Sequence, residues 1–82
     1  MNQKARTRDE LFLLKIYETA PRSLDVDSHC IGRALRHSHR TIENIVRHLA
    51  QANFVKKGER NRLQLTPQGV RLVEQLLKEA PS

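Results

Sequence analysis

The chain of 82 residues is poor in several residue types that mark particular classes of protein. It has a single cysteine, Cys30, so no intrachain disulfide can form and nothing indicates an oxidising compartment. It has no Trp, and aromatic residues amount to only 4%. Long hydrophobic runs are also missing, because Lys15 and Glu18 interrupt the first apolar stretch. We therefore expect neither a signal peptide nor a membrane span, and a cytoplasmic location.

The paired ligand motifs of structural zinc sites are absent as well. No two cysteines flank a pair of residues, and no two histidines lie three or four residues apart. The side chains that remain as metal ligands are irregularly spaced: His29, Cys30, His37, His39 and His48. This spacing is a weak indication of a sensor site, so we expect no bound metal and no cofactor.

Catalytic machinery has little support in the sequence. Ser38 lies between His37 and His39, an arrangement in which a base could activate a nucleophile. However, no glycine-rich elbow accompanies the serine, and a chain of this length offers no obvious deep pocket. We expect a protein that is not an enzyme.

The composition is that of a folded globular protein, with 38% hydrophobic and 29% charged residues. The length indicates one small domain in which a few amphipathic elements share a modest apolar core. We expect this domain to cover residues 8–80, after a flexible basic N-terminus of residues 1–7.

Positive charge is unevenly distributed along the chain, whose formal net charge is +6. Residues 36–62 contain seven lysines and arginines but only two acidic residues, whereas the remainder is nearly neutral. A basic block of this kind is typical of a surface that binds a polyanion. The charge alone does not separate DNA from RNA or from an acidic protein.

The apolar spacing and the turn residues predict a mainly α protein with a small β-hairpin, an α+β domain in the order helix, helix, helix, hairpin, helix. Pro21 ends the first helix, Asp25 or Asp27 caps the second, and Thr66 caps the last, in which Pro67 occupies the first turn. The predicted bounds are about 8–20, 26–36 and 39–52 for the first three helices, 54–66 for the hairpin and 67–80 for the last helix. A brief extended contact is expected near Leu24.

The third helix has two chemically distinct faces. Ser38 is placed to cap its first turn, and an apolar stripe follows at Ile42, Ile45, Val46 and Leu49. The opposite face is polar and carries His39, Arg40, Glu43, Asn44 and Arg47. Gly32, in the helix before, suggests a place where another helix approaches closely.

The segment "LRHSHRTIENIVRHLAQANFV", residues 35–55, resembles the winged helix-turn-helix pattern of many prokaryotic regulators. Its matching positions are Leu35, Ser38, Thr41, Ile42, Leu49 and Val55, and "LQLTPQG" is similar to the step after the wing in MarR-type and PadR-type proteins. The chain departs from the pattern at Arg36 and Asn53, where glycine is common. It lacks the long additional helices with which MarR-type proteins dimerise and form a ligand pocket, so the resemblance does not imply effector control.

The resemblance implies sequence-specific binding of double-stranded DNA by a small transcriptional regulator. The third helix would enter the major groove, where arginine pairs with guanine and asparagine with adenine, and the basic hairpin would contact the flanking backbone or minor groove. The expected DNA-binding residues are Ser38, His39, Arg40, Thr41, Glu43, Asn44, Arg47, Lys56, Lys57, Arg60 and Arg62. The alternative is a winged helix that serves as a protein–protein adaptor without binding DNA.

A homodimer is a further hypothesis. Leu11 and Leu14 widen the apolar arc of the first helix, and the last helix is rich in leucine, including Leu72 and Leu76. A twofold pair would present two recognition helices to a palindromic site. The alternative is that both helices only close the core of the monomer.

Overall fold

Side chains cap all four helices of the computed structural model, which describes residues 7–20 and 25–79. Thr7 begins α1 with a capping box: Glu10 N donates to Thr7 Oγ1 at 3.1 Å, and Thr7 N donates to Glu10 Oε1 at 3.0 Å. Thr7 therefore belongs to the folded domain, whereas residues 1–6 of the expected flexible N-terminus lie outside the described residues. The elements are α1 Arg8–Thr19, β1 Val26–Asp27, α2 Ser28–Ala34, α3 His39–Gln51, β2 Val55–Lys57, β3 Arg62–Leu65 and α4 Pro67–Lys78.

The second helix is shorter than its predicted range of about 26–36, although Asp27, one of its two predicted caps, does cap it. Residues 26–27 form the strand β1, and α2 begins only at Ser28. Val26 pairs with Leu63 of β3, and the Asp27 side chain caps α2 by accepting a hydrogen bond of 2.8 Å from His29 N. The hairpin is consequently part of a three-stranded antiparallel sheet in the order β1-β3-β2. The extended contact expected at Leu24 lies outside the described residues.

Two of the helices end in the same way, with a residue in the left-handed conformation. At the end of α2, Arg36 has φ 63°, and His37 N donates to Gly32 O at 2.9 Å. At the end of α3, Asn53 has φ 65°, and Phe54 N donates to Leu49 O at 2.9 Å. Both are Schellman motifs, which satisfy the last carbonyl groups of a helix and usually place glycine at the left-handed position. The two positions where this sequence departs from glycine are therefore the two left-handed helix ends.

The core lies between the helices and one face of the sheet. Its fully buried centre includes Phe12 and Ile16 of α1, Leu63 of β3 and Val73 of α4. The apolar stripe predicted for the third helix is buried as expected. Gly32 packs so closely on α3 that an added Cβ would collide with the Ile42 side chain. The helix approach that the glycine suggested is therefore confirmed.

The hairpin of β2 and β3, which we call the wing, is held together at its base by hydrogen bonds. Thr66 caps α4 by accepting from Gly69 N at 3.0 Å, and its own hydroxyl donates to Asn53 O at 2.6 Å. Thr66 N also donates to Phe54 O at 3.1 Å, and Asn53 Nδ2 donates to Gln68 Oε1 at 3.2 Å. The residues that enter and leave the hairpin thus contact one another directly.

The spacing of apolar residues in the last helix predicts a buried stripe at Val70, Val73, Leu76 and Leu77. Val73 and Leu76 are buried, whereas Val70 is half-buried and Leu77 is 51% exposed. No helix in the described part of the chain has the length and apolar character needed to cross a bilayer.

Candidate nucleic-acid interface

The exposed ridge of α3 consists of polar residues at helical spacing. Arg40, Asn44 and Arg47 lie at steps of four and three residues, so they share one side of the helix. All three are exposed, and the buried stripe behind them fixes the helix to the core. The ridge can therefore meet a partner without any rearrangement of the packing.

The N-terminal end of α3 is organised by Ser38. Its hydroxyl accepts a hydrogen bond of 3.3 Å from Thr41 N and donates one of 3.0 Å to Thr41 Oγ1. The prediction that Ser38 is a helix cap is thereby confirmed. On the next face of the first turn, His39 Nε2 lies 3.0 Å from Glu43 Oε2, so these two exposed side chains contact each other.

The wing and α3 form a concave surface that encloses a volume of about 250 Å³. Its lining brings together residues predicted from separate parts of the sequence: Glu43 and Arg47 of α3 with Lys57, Arg60 and Arg62 of the hairpin. Arg60 reaches it from the turn, where its φ of 56° is left-handed. We call this surface the wing groove.

Other predicted residues lie outside the wing groove. Thr41 and Asn44 line a smaller concavity of about 180 Å³ on the opposite flank of α3, together with Arg8 of α1. Lys56 pairs with Gln64, one residue out of phase with Val55 and Lys57 along β2. Because successive side chains of a strand point to opposite faces, Lys56 lies on the other face of the hairpin.

The basic side chains of residues 36–62 are electrostatically uncompensated. No carboxylate among the described residues forms an ion pair with any of them, since the ion pairs there are Lys15–Glu18, His39–Glu43 and His48–Asp9. All seven basic residues are also exposed. An ordinary solvated surface mixes charges of both signs, so this segment concentrates positive charge beyond what its own carboxylates balance.

The wing groove also contains a pair of polar side chains that were not among the predicted DNA-binding residues. His29 and Asn61 line it, and Asn61 Nδ2 lies 3.3 Å from His29 Nδ1. The pairing of β1 with β3 brings them together across 32 positions of sequence. The sequence identifies His29 only as a possible metal ligand, and no local spacing relates it to Asn61.

No three of the metal-capable side chains converge within the described part of the chain. Cys30 is exposed, and His48 Nδ1 lies 3.8 Å from Asp9 Oδ2. His37 has a buried Nε2 without a hydrogen-bond partner among the described residues. Within residues 7–20 and 25–79, no three His, Cys, Asp or Glu side chains are grouped closely enough to hold a metal ion.

The fold of the chain is similar to that of solved structures, although its sequence matches no known family. No family model and no curated protein matches the chain. Among solved structures it is similar to IdeR of T. acidophilum, with a TM-score of 0.76 and 24% identity over 93% of this chain and 35% of that one. It is also similar to MepR, a transcription regulator of the Staphylococcus aureus multidrug efflux pump MepA, with a TM-score of 0.66 and 23% identity over 88% of this chain and 56% of that one.

These similarities confirm the winged helix-turn-helix fold, which transcription regulators use. The chain spans about a third of the length of IdeR and about half of MepR. At this level of identity the similarity shows the fold alone, and a fold does not determine a function.

Proposed function

We propose that the chain binds double-stranded DNA as the DNA-binding module of a transcription regulator. In this arrangement α3 occupies the major groove and the wing lies along the flanking backbone. The observation that carries the proposal is the position of the uncompensated charge: it lies on α3 and on the wing, on both sides of the wing groove. These are the two elements with which a winged helix meets a duplex.

The expected contacts with DNA are of two kinds. Arg40 and Arg47 on the α3 ridge would contact guanine, and Asn44 would contact adenine, which gives sequence preference. The backbone N–H groups next to the Ser38 cap would bind a phosphate. The hairpin residues would bind further phosphates and so position the protein without specifying sequence. The hairpin residues proposed to bind phosphates are Lys56, Lys57, Arg60 and Arg62.

The first experiment is binding to a labelled random duplex, followed by fluorescence anisotropy at several salt concentrations. Six phosphate contacts predict a loss of affinity of roughly a thousandfold between about 50 and 200 mM salt. Absence of binding at the lowest salt concentration would refute DNA binding and would favour the alternative, a protein–protein adaptor.

A matched pair of double variants tests the location of the interface. Arg40→Glu with Arg47→Glu reverses two charges on the α3 ridge, and Arg71→Glu with Lys78→Glu makes the same change of net charge on the exposed surface of α4. We expect the α3 variant to lose at least a hundredfold in affinity, since two phosphate or base contacts become repulsive, and the α4 variant to lose roughly threefold. Equal losses would show that net charge, and not this surface, determines binding.

Dimerisation remains a separate proposal, and the residues first assigned to it need correction. Leu76 is only 5% exposed, and Leu14 and Leu72 are half-buried against the core. The exposed leucines are Leu11 at 41% and Leu77 at 51%, on the helices α1 and α4 that pack together. If a homodimer forms through these helices, Leu11→Asp with Leu77→Asp should shift sedimentation from dimer to monomer. A monomeric wild-type chain at high concentration would refute it.

A further inference from the structure

The wing groove has an apolar floor and a basic rim. The floor consists of residues that belong to the buried core, namely Ile42, Val46 and Leu63. The rim carries exposed basic side chains from α3, from β2 and from the turn of the wing, namely Arg47, Lys57 and Arg60. An apolar floor lowers the local dielectric constant and so strengthens the attraction between these side chains and an anion. The groove is therefore suited to hold a negatively charged group.

The groove carries more positive charge than one phosphate of a duplex balances. Among the described residues of its lining, Glu43 alone is acidic. Arg62 also lines the groove, but its neighbour Leu63 is buried in the core, so the Arg62 side chain points to the opposite face of β3. The three basic side chains of the rim and one acidic side chain leave a formal net charge of +2. A backbone phosphate brings about one negative charge, whereas a diphosphate group brings roughly two or more. The charge of the groove therefore matches a diphosphate group.

A nearly buried hydroxyl group adds a hydrogen-bond donor to the lining. Ser28 is only 5% exposed, and no hydrogen bond joins its hydroxyl to another residue in the described part of the chain. The helix α2 does not need this hydroxyl, because Asp27 supplies the cap. Buried polar side chains are normally hydrogen-bonded, so an unpaired one in the lining of a groove indicates a place for a ligand oxygen.

Backbone hydrogen bonds hold the rim in place before any ligand binds. Ser28 N donates to Asn61 O at 2.8 Å, which fixes the turn of the wing against the start of α2. Within the turn, Arg62 N donates to Glu59 O at 3.1 Å, and Arg60 between them has a left-handed φ of 56°. A preformed site loses little conformational freedom on binding, so more of the interaction energy appears as affinity.

We propose that the wing groove binds the diphosphate group of a small ligand. Its volume of about 250 Å³ lies just below the usual range of roughly 300–1,000 Å³ for ligand pockets, so the ligand is compact. Arg47, Lys57 and Arg60 would bind the phosphate oxygens, and the Ser28 hydroxyl would donate a hydrogen bond to one of them. The same basic side chains are assigned to DNA, so the bound ligand weakens DNA binding. The site itself does not depend on the proposed function, whereas its effect on DNA binding rests on it.

The first experiment is a calorimetric titration of the whole chain with inorganic pyrophosphate, in a buffer free of divalent cations and at constant ionic strength. We expect saturable binding at a single site in each chain. Orthophosphate should bind roughly tenfold more weakly, because it forms fewer charge-assisted hydrogen bonds with the rim. Equal affinity for the two anions, or no saturable binding of pyrophosphate, would overturn the proposal.

Two adjacent lysines provide a matched pair of variants. Lys57 lines the groove, whereas Lys56 lies on the other face of the hairpin. Lys57→Gln should weaken pyrophosphate binding about tenfold, and Lys56→Gln, which removes the same charge, should weaken it less than about twofold. Ser28→Ala removes only the hydroxyl and should weaken binding about fivefold. Equal losses for the two lysine variants would show attraction by net charge alone and would overturn the location in the groove.

A competition experiment connects the site with DNA. Pyrophosphate should release a labelled duplex as it saturates the groove, whereas sodium sulfate should release the duplex only as far as the shared ionic strength does. Arg40 is exposed on the α3 ridge and does not line the groove. Arg40→Gln should therefore weaken duplex binding about tenfold and leave pyrophosphate binding within about twofold of the wild type.

The outcomes separate the site from the proposed function. A duplex that stays bound while pyrophosphate saturates the chain would overturn the competition. Binding of pyrophosphate without any binding of the duplex would support the site and refute the proposed function. Binding of the duplex without binding of pyrophosphate would overturn the site and leave the proposed function intact. Circular dichroism of each variant establishes that the compared proteins are folded, and the lysines and Arg40 are exposed, so their substitutions do not disturb the core.

Discussion

Replacing Gly69 by alanine tests how α4 is joined to the wing. A Cβ at this position would collide with Phe54 O, and it would lie 3.0 Å from Phe54 C and 3.3 Å from Leu65 Cδ2. The Phe54 carbonyl cannot turn away cheaply, since it accepts a hydrogen bond of 3.1 Å from Thr66 N. The helix would have to move, and this would lengthen the bonds that Thr66 makes at the base of the wing.

The expected magnitude combines opposing terms. Alanine in place of glycine favours a helix by about 1 kcal/mol, whereas overpacking costs about 1–3 kcal/mol and each weakened hydrogen bond costs about 1 kcal/mol. We expect the free energy of unfolding to fall by about 2 kcal/mol and the melting temperature by roughly 10 °C. Urea denaturation monitored by far-ultraviolet circular dichroism measures the free energy of unfolding. Circular dichroism is the suitable probe because the chain has no Trp for fluorescence.

Gly58→Ala is the control for this substitution. The nearest atom to an added Cβ at Gly58 is Arg62 Cβ at 3.5 Å, an ordinary contact, and no glycine among the described residues has a positive φ. Its stability should stay within about 0.5 kcal/mol of the wild type. If Gly69→Ala were as stable as Gly58→Ala, the close approach of α4 to the wing would be wrong.

Three further predictions concern stability and use the same denaturation assay. Arg36→Gly should stabilise the fold by about 1 kcal/mol, since φ 63° strains a residue with a Cβ, and a loss of stability would contradict the left-handed helix end. Ser38→Ala should cost about 1 kcal/mol through the lost cap, whereas Ser38→Asp should cost little, and equal losses would rule out capping as the cause. Leu76→Ala should cost about 2–5 kcal/mol and Leu77→Ala less than about 0.5 kcal/mol, an order that would be reversed if Leu77 were the buried residue.

Local signals determined much of what could be predicted. The Ser38 cap and the apolar stripe of α3 depend on neighbours within one or two helical turns, so spacing alone locates them. The same holds for Thr66 and Pro67 at the start of α4. The basic character of α3 and the wing was likewise visible, because the basic residues fall in one continuous segment of the sequence.

Features that depend on distant contacts could not be predicted in this way. The two residues of β1 have too little pattern of their own, and only their pairing with β3 makes them a strand. Leu76 and Leu77 are equally apolar, and only the packing of α4 decides which of them is buried. The contact between His29 and Asn61 has the same origin, since it requires the completed sheet.

The hydrogen bonds at the base of the wing allow the length of the hairpin to change independently of the helices. Because Thr66 and Asn53 hold the two ends together, extra residues placed in the turn would change the reach of the wing without displacing α3 or α4. The entropy of closing a longer loop is small, about 0.6 kcal/mol for each doubling of its length. A chain built in this way can change how far the wing extends beyond α3 while its folded helices stay the same.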